Sequence, residues 1–386
     1  MDRCVSVIIP TYNRAHFLTE CLDALLTQTV PVSEIIVVND GSTDNTEDIL
    51  QPYMQLIVYL KKNNGGKSTA LNLGLKHANG DFVWIFDDDD LSLPHALDIH
   101  LKAFDEQPNA GFTYSGYHLG VPDNETGSLK VIETYEAFRG SYKSLFASFA
   151  CGALHTKIGF MLQQGMLVRK SCYDTVGPFN EGLNRSMDFE MNLRLCRSFK
   201  GIRIDKPTFV IRRHEGLRGP SFDRHTDEQR EHKWKEYDQK AIRHVCETTP
   251  LENYLDLQSK PANTRYWKSV ALLCRAKILI KREFYDLAEN DLLELRGCAN
   301  DRELLVDENL FNEIFAIEAL IRQKMSSSNE SNHLSLLNEI IATICRDKIY
   351  RKRMTHYCYW KCLNNLKHVR LRPCARNLLQ VVKTLF

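Results

Sequence analysis

Phe82-Val83-Trp84-Ile85-Phe86-Asp87-Asp88-Asp89-Asp90 runs five apolar residues straight into four carboxylates. A short apolar run rich in aromatic and β-branched residues reads as a buried strand. Asn79-Gly80 before it is a turn signal, and Leu91-Ser92-Leu93-Pro94 after it should break regular structure. The acids therefore sit at the C-terminal end of a strand, where open α/β sheets form their ligand crevice. Four adjacent carboxylates repel one another and resist desolvation. A hard divalent cation, Mn²⁺ or Mg²⁺, takes oxygen ligands and would relieve that repulsion. A solvated loop is the plain alternative for an acidic run, but a buried strand feeding directly into it argues against that.

The residues leading up to the acids set the fold class. Val5-Ser6-Val7-Ile8-Ile9 reads as a first strand ended by Pro10. Thr11-Tyr12-Asn13-Arg14 follows as a loop, with Asn13 as N-cap of a helix carrying Leu18, Cys21, Leu22, Leu25 and Leu26 at helical spacing. Ile35-Ile36-Val37-Val38-Asn39 is a second strand, ending in the turn and cap residues Asp40-Gly41-Ser42-Thr43-Asp44. Residues 56–60 form a third, and Asn63-Asn64-Gly65-Gly66 opens a helix with Ala70, Leu71, Leu75 and Ala78 on one side.

Strands alternating with helices at this spacing imply an α/β protein with a parallel, doubly wound sheet. Its strand ends bring Thr11 and Tyr12, Asp40, and residues 87–90 to one edge. An aromatic ring, a lone carboxylate and a metal-binding cluster suit a nucleotide base, its ring N–H and a diphosphate. Taken singly, Asp40 reads equally well as a helix cap and Tyr12 as a loop anchor. Gly66-Lys67-Ser68 looks like the end of a P-loop, but that motif needs a glycine where Lys61 stands. Gly65-Gly66 instead lets a helix N-terminus approach its neighbours or a phosphate.

With these pieces in order, the sequence resembles a family 2 glycosyltransferase of GT-A fold. The resemblance rests on Ser6-Val7-Ile8-Ile9-Pro10-Thr11-Tyr12-Asn13-Arg14, on Glu34-Ile35-Ile36-Val37-Val38-Asn39-Asp40-Gly41-Ser42-Thr43-Asp44, on Asn64-x-Gly66-x-x-x-Ala70-x-Asn72-x-Gly74, and on Asp87-x-Asp89-Asp90. Asn39 departs from the family, which more often has an acid there. The resemblance implies that Pro10, Thr11, Tyr12, Arg14, Asp40, Lys67, Asp87 and Asp88 line the nucleotide site, with Thr11, Tyr12 and Asp40 at a base that is usually uracil. Asp87 and Asp89 match the DxD motif, and Asp89 with His214 would hold Mn²⁺ or Mg²⁺.

Residues 116–163 give mixed signals, with a helix expected over 135–149; in the family this region carries acceptor-side loops. Gly165-Met166-Leu167-Val168-Arg169 is strand-like, followed by Ser171 as a helix cap. In Arg185-Ser186-Met187-Asp188-Phe189-Glu190, Ser186 can cap a helix whose Phe189, Leu193 and Cys196 point inward. Asp188 then lies in the first turn, where an acid often serves only the helix dipole. The stretch resembles the family's ED motif, with Met187 in place of Glu, and makes Asp188 the general base. Residues 202–205 and 208–212 close the sheet. Arg212-Arg213-His214 resembles the family's arginine–histidine pair, one arginine for phosphate and His214 for metal, although a histidine after a strand is often structural. Residues 216–221 would form a mobile loop.

The chain has 386 residues, 43% hydrophobic and 26% charged, as expected of a globular protein. The reading divides it into a GT-A domain over 1–223 (halves 1–115 and 116–223) and a helical region over 224–386. In the latter, residues 265–295 read as two helices around Lys281-Arg282-Glu283, a single helical hairpin rather than a repeat array, and 307–324 and 334–349 as further helices. Twelve cysteines without a CxxC pair read as reduced and a zinc site is not expected. With no apolar stretch long enough for a signal peptide or membrane span, a cytoplasmic location is expected.

The net charge of +1 hides an asymmetry: residues 346–386 hold eleven Lys/Arg and one acid, so the rest of the chain is net acidic. Basic residues interleaved with Tyr357, Tyr359, Trp360 and leucines suit an anionic membrane surface; no nucleic-acid motif is present. The expected partners are thus a nucleotide-sugar donor, a glycan or lipid-linked saccharide acceptor, and that surface, with oligomerisation open. Two other readings stay in play. A sugar nucleotidyltransferase would need a glycine-rich first loop, which Pro10-Thr11-Tyr12-Asn13-Arg14 lacks. A non-catalytic scaffold would not need its acids.

Overall fold

The fold comes from a computed structural model that describes residues 3–123, 129–137, 161–213, 227–254 and 264–298, with isolated helical positions at 317, 320, 321, 335, 337 and 339. His214, the loop 216–221, the basic tail 346–386 and most of the expected helices 135–149, 307–324 and 334–349 lie outside the described residues. The chain divides into two compact units, Met1–Asp256 and Leu257–Phe386.

In the first unit, β1 (Val5–Thr11), β2 (Glu34–Asn39), β3 (Val58–Lys61) and β4 (Phe82–Ile85) alternate with α1 (Ala15–Leu26), α2 (Thr46–Leu50) and α3 (Lys67–His77). After the acids come β5 (Leu91–Ser92), α4 (Ala96–Glu106), β6 (Phe112–Pro122), β7 (Leu129–Tyr135) and β8 (Met166–Arg169). Then follow α5 (Lys170–Val176), α6 (Met187–Ser198), β9 (Gly201–Arg212) and α7 (Asp227–Thr248). Nine strands form one sheet in the order β3-β2-β1-β4-β8-β6-β9-β5, with β7 on β6.

The first four strands are parallel, as the βα alternation requires. Beyond β4 the sheet turns mixed: β8 is antiparallel to β4 and β6, and β9 is parallel to β6 but antiparallel to β5. β9 is a single strand where two were expected, passing through Pro207 at a register shift opposite Gly116. Tyr135 ends a strand and begins no helix.

β1 does not stop at Pro10 but runs through Thr11, in register with Asn39. Phe86 N donates to Ile8 O, so Ile8 and, two residues on, Pro10 direct their backbone toward β4. That strand has ended by then, and the missing proline N–H leaves no neighbour unsatisfied.

The core below the sheet edge is mostly apolar. Ile9, Val37, Trp84, Phe86, Leu97, Phe104 and Phe209 are buried, with Trp84 edge-on to Phe86 at 5.4 Å. Gly74 of α3 lies so close to β1 that a Cβ would sit 2.4 Å from Ile8 Cγ2. Only glycine lets that helix approach the sheet. α7 packs on α6, which carries the first unit past the expected 223/224 boundary.

The described part of the second unit is a helical hairpin, α8 (Thr264–Lys281) and α9 (Tyr285–Cys298), turning at Glu283 with φ 67°. Ala271, Leu272, Leu279, Ala288 and Leu292 are buried in it, and the Arg275 fork binds the Asp291 carboxylate at 2.8 and 2.5 Å. Among the described residues, no helix is long and apolar enough to cross a membrane.

Candidate active site

The acid loop is clamped at both ends. β4 enters it, and β5 leaves it paired to β9, with Leu91 opposite Val210. Arg212 N then donates to Asp90 Oδ1 at 3.0 Å. The four carboxylates are consequently fixed in four different settings, two of them buried.

Asp87 accepts from Lys67 Nζ at 2.5 Å and from Gln164 Nε2 at 2.9 Å. Asp89 is bound by the Arg14 guanidinium, which also lies 3.7 Å from Asp88. Asp90 accepts from Gln164 Nε2 at 2.6 Å besides Arg212 N. Carboxylate oxygens of Asp87, Asp89 and Asp90 fall within 4.8 Å of one another. Three hard oxygen donors from one loop fit Mn²⁺ or Mg²⁺. The structure thus brings Asp90 into the cluster with the expected Asp89.

Burial and the crowding of like charge raise the buried acids. Burial pushes Asp88 up to about 7 against the opposing pull of Arg14, with Asp89 and Asp87 adding to the rise. Asp90 is also raised, first by burial and then by Asp89 and Asp87. The cations respond in kind. Burial disfavours the Lys67 and Arg14 charges, but the surrounding carboxylates outweigh it and hold both above their ordinary values. Asp188 is among the charges that stabilise Lys67, so it shares an electrostatic neighbourhood with Asp87.

Asp188 stands half-buried in the first turn of α6. Ser186 is the N-cap residue, but in a left-handed conformation (φ 56°) and without a side-chain cap bond; Asp188 Oδ1 instead accepts from Phe189 N at 2.9 Å. Phe189, Leu193 and Cys196 are buried as the helical spacing predicts, and Met187, in the family's glutamate position, is buried with them. The approach to α6 is tied to α3: Asn72 donates to Phe179 O and Glu181 Oε1 and accepts from Phe179 N. Asn72 thereby acts on the segment that leads to Asp188.

At the other end of the edge, Thr11 is buried, Tyr12 half-buried and Asp40 buried. Asp40 is no cap for α2. Its Oδ1 accepts from Lys62 Nζ (2.5 Å) and Gly65 N (3.0 Å), its Oδ2 from Gly66 N (2.8 Å) and Asn64 Nδ2 (3.3 Å). That fills the roughly four lone-pair sites of a carboxylate. Asp40 thus holds the loop in front of α3, whose N-cap Gly66 needs φ 89°. Asn13, expected to cap α1, instead accepts from Thr43 N and Asp44 N. Asp44 Oδ2 receives the first N–H of α1 from Ala15, because Asn13 sits in the left-handed region at φ 55°.

Of the two arginines left open for phosphate, Arg212 is engaged within the protein. It binds Glu20, donates to Asp89 O at 3.2 Å and covers the Phe17 ring at 4.9 Å. Arg213 is exposed. Gln164 and Lys62 are the side chains at this edge that sequence reasoning passed over.

The family model described as glycosyl transferase family 2 matches residues 6–160, from β1 past the acid loop. These residues belong to that family. Among relatives of the family 2 domain, an uncharacterized glycosyltransferase of Rickettsia typhi is 33% identical over 194 residues, 50% of this chain and 58% of its own length. The minor teichoic acid biosynthesis protein GgaB of Bacillus subtilis is 43% identical over 110 residues, covering 27% of this chain and 12% of its own. The chain thus spans little more than half of the first relative and far less of the second. S. aureus TarS 1–349, in a crystal structure with UDP-GlcNAc, superposes with a TM-score of 0.52 at 19% identity over 92% of each chain. The family 2 domain therefore has the GT-A fold, with helices following it.

Proposed function

We propose that the chain is an inverting, metal-dependent glycosyltransferase that moves a sugar from a nucleotide-diphospho-sugar, UDP-linked, to a hydroxyl of a glycan or lipid-linked saccharide. The observation that carries this is the grouping of three carboxylates, two flanking cations and Asp188 along one sheet edge in a family 2 domain. TarS with UDP-GlcNAc supports a UDP donor. The name of GgaB supports a surface-polymer acceptor.

In this reading the base lies against Tyr12 and Thr11 with its ring N–H at Asp40, and Asp87 and Asp88 face the ribose and diphosphate. Asp87, Asp89 and Asp90, with His214, would hold Mn²⁺ or Mg²⁺. Once bound, the cation offsets negative charge growing on the departing diphosphate. Arg14 and Lys67, now paired with the acids, turn to the phosphate oxygens when the donor arrives. Asp188 accepts the proton of the acceptor hydroxyl as its oxygen attacks the anomeric carbon. The bond to the diphosphate breaks with its electron pair leaving on phosphate oxygen, and the configuration inverts in one displacement. The basic tail 346–386 would hold the enzyme near a lipid-linked acceptor at an anionic membrane face.

A thermal-shift panel of nucleotide diphosphates and nucleotide-sugars, run with Mn²⁺ and with EDTA, tests the donor site. Stabilisation by UDP or a UDP-sugar only with metal is expected. No metal-dependent shift with any nucleotide would sink the enzyme reading in favour of a scaffold.

A further inference from the structure

Gln164 reaches the acid loop from a segment that the resemblance leaves unassigned. It lies just ahead of β8 and is buried at 6% exposure. One nitrogen, Nε2, donates to Asp87 Oδ2 at 2.9 Å and to Asp90 Oδ2 at 2.6 Å. Its backbone carbonyl accepts the indole N–H of Trp84 at 2.8 Å. Its neighbour Gln163 donates to Asn192 Oδ1 of α6 at 2.5 Å, and Asn192 donates in turn to Met161 O at 2.7 Å. The residue is thus held from β4 and from α6 while its amide reaches two of the three clustered carboxylates.

An uncharged double donor is the group this place requires. A lysine or arginine here would add a charge that competes with a bound cation. An apolar side chain would leave one oxygen of each acid without the donor they share. The amide spends its two hydrogens on one oxygen of each acid. The other oxygen of Asp87 is taken by Lys67, and that of Asp90 by Arg212 N. Of these partners only the Lys67 amine is a mobile cation that a metal or diphosphate can displace. We propose, on the donor-site reading above, that Gln164 is a positioning residue that holds the Asp87 and Asp90 carboxylates aimed for the divalent cation, and that the Gln163–Asn192 contact couples that aim to the helix carrying Asp188.

Groups of this kind, which orient metal-binding carboxylates without touching the ion, characteristically change metal affinity 10- to 100-fold. The test is Mn²⁺ affinity, read from free Mn²⁺ by electron paramagnetic resonance in the presence of UDP, for the full chain and for Gln164→Met and Gln164→Asn. Methionine keeps the length and loses the donors; asparagine keeps an amide too short to span both acids. Both should weaken Mn²⁺ about tenfold or more, while the metal-free melting temperature stays near wild type. A merely structural glutamine would move the melting temperature and leave the Mn²⁺ affinity alone. Wild-type Mn²⁺ affinity in a folded variant overturns the inference while leaving the donor site standing. Loss of cooperative melting in both variants also overturns it, since Gln164 would then serve the fold. Absence of Mn²⁺ uptake by the wild-type protein with UDP is a separate outcome, and overturns the metal-dependent reading itself.

Discussion

Arg14 donates to the Asp89 carboxylate from the loop at the far end of β1. The same guanidinium lies 3.7 Å from Asp88, so one side-chain cation neutralises the middle of the acid run. Lys67 does the same for Asp87. The fold therefore carries its own counter-ions at the place where a divalent cation and a diphosphate would meet, and the two sets compete. Arg14→Met should let Mn²⁺ alone bind about tenfold tighter, roughly 1.4 kcal/mol, while UDP binding with Mn²⁺ weakens. Titration calorimetry with and without nucleotide reads both. Unchanged Mn²⁺ affinity in the variant would show that the pair does not compete with metal.

The part of this site built on β1 to β4 was legible in the sequence because βα repetition is local. Each strand–loop–helix unit declares itself within some twenty residues, and parallel order then carries Thr11, Asp40 and the acids to one edge. Gln164 was not legible. It reaches Asp87 only because β8 runs antiparallel to β4, with Trp84 opposite Leu167; continuing that register sets Gln164 opposite Asp87. Nothing within residues 116–163 announces that pairing. The setting of Arg212 was not legible for a related reason: it is held by Glu20 and Phe17 of α1, far from it in sequence.

Lys62 and Asp40 define a second competition. The Lys62 amine holds one of the carboxylate's acceptor positions at 2.5 Å, and three loop donors take the rest. A base ring N–H can reach Asp40 only by replacing one of them, and the amine on its flexible stem is the easiest to move. Lys62→Met should therefore tighten UDP about three- to tenfold by removing the competitor. If fluorescence titration gives an unchanged affinity, Asp40 braces the loop and makes no contact with the base.

His100 predicts an acid sensitivity that is independent of the site. It is buried, with its ring nitrogens 2.7 Å from Thr113 Oγ1 and 3.3 Å from Thr208 Oγ1, and burial lowers its pKa to about 3. Unfolded histidine titrates near 6.5. Between those values the unfolded chain binds a proton that the folded chain does not. Stability from this group is fully present above pH ~6.5 and falls with pH at up to ~1.4 kcal/mol per unit. Asp88 works the other way: raised to about 7 from an ordinary 3.8, it favours the folded state as pH falls through 7. Asp90 is raised likewise, so the wild-type slope sums opposing contributions, and His100→Asn should remove the one that destabilises the fold toward acid. Denaturant melts at pH 7 and pH 5 should show the variant losing less stability between the two than wild type does. An equal loss would mean that His100 already takes up its proton in the folded protein.

Asp188 and Asp89 should separate chemistry from binding. The carboxamide of Asp188→Asn can still accept from Phe189 N through its oxygen, as Asp188 Oδ1 does at 2.9 Å, so the α6 turn should persist. Proton abstraction is lost, and general-base catalysis is worth about 10²–10⁴ in rate. Lys67 loses a stabilising carboxylate, but its bond to Asp87 remains. Transfer should therefore fall at least 100-fold while the Mn²⁺-dependent thermal shift with UDP stays. Asp89→Ala removes a member of the oxygen cluster and frees Arg14. Both transfer and the metal-dependent shift should then disappear. The two variants are compared on the same preparation, by transfer of labelled sugar and by melting. Near-wild-type transfer from Asp188→Asn would remove it as the base, and a retained metal-dependent shift in Asp89→Ala would remove Asp89 from the metal site.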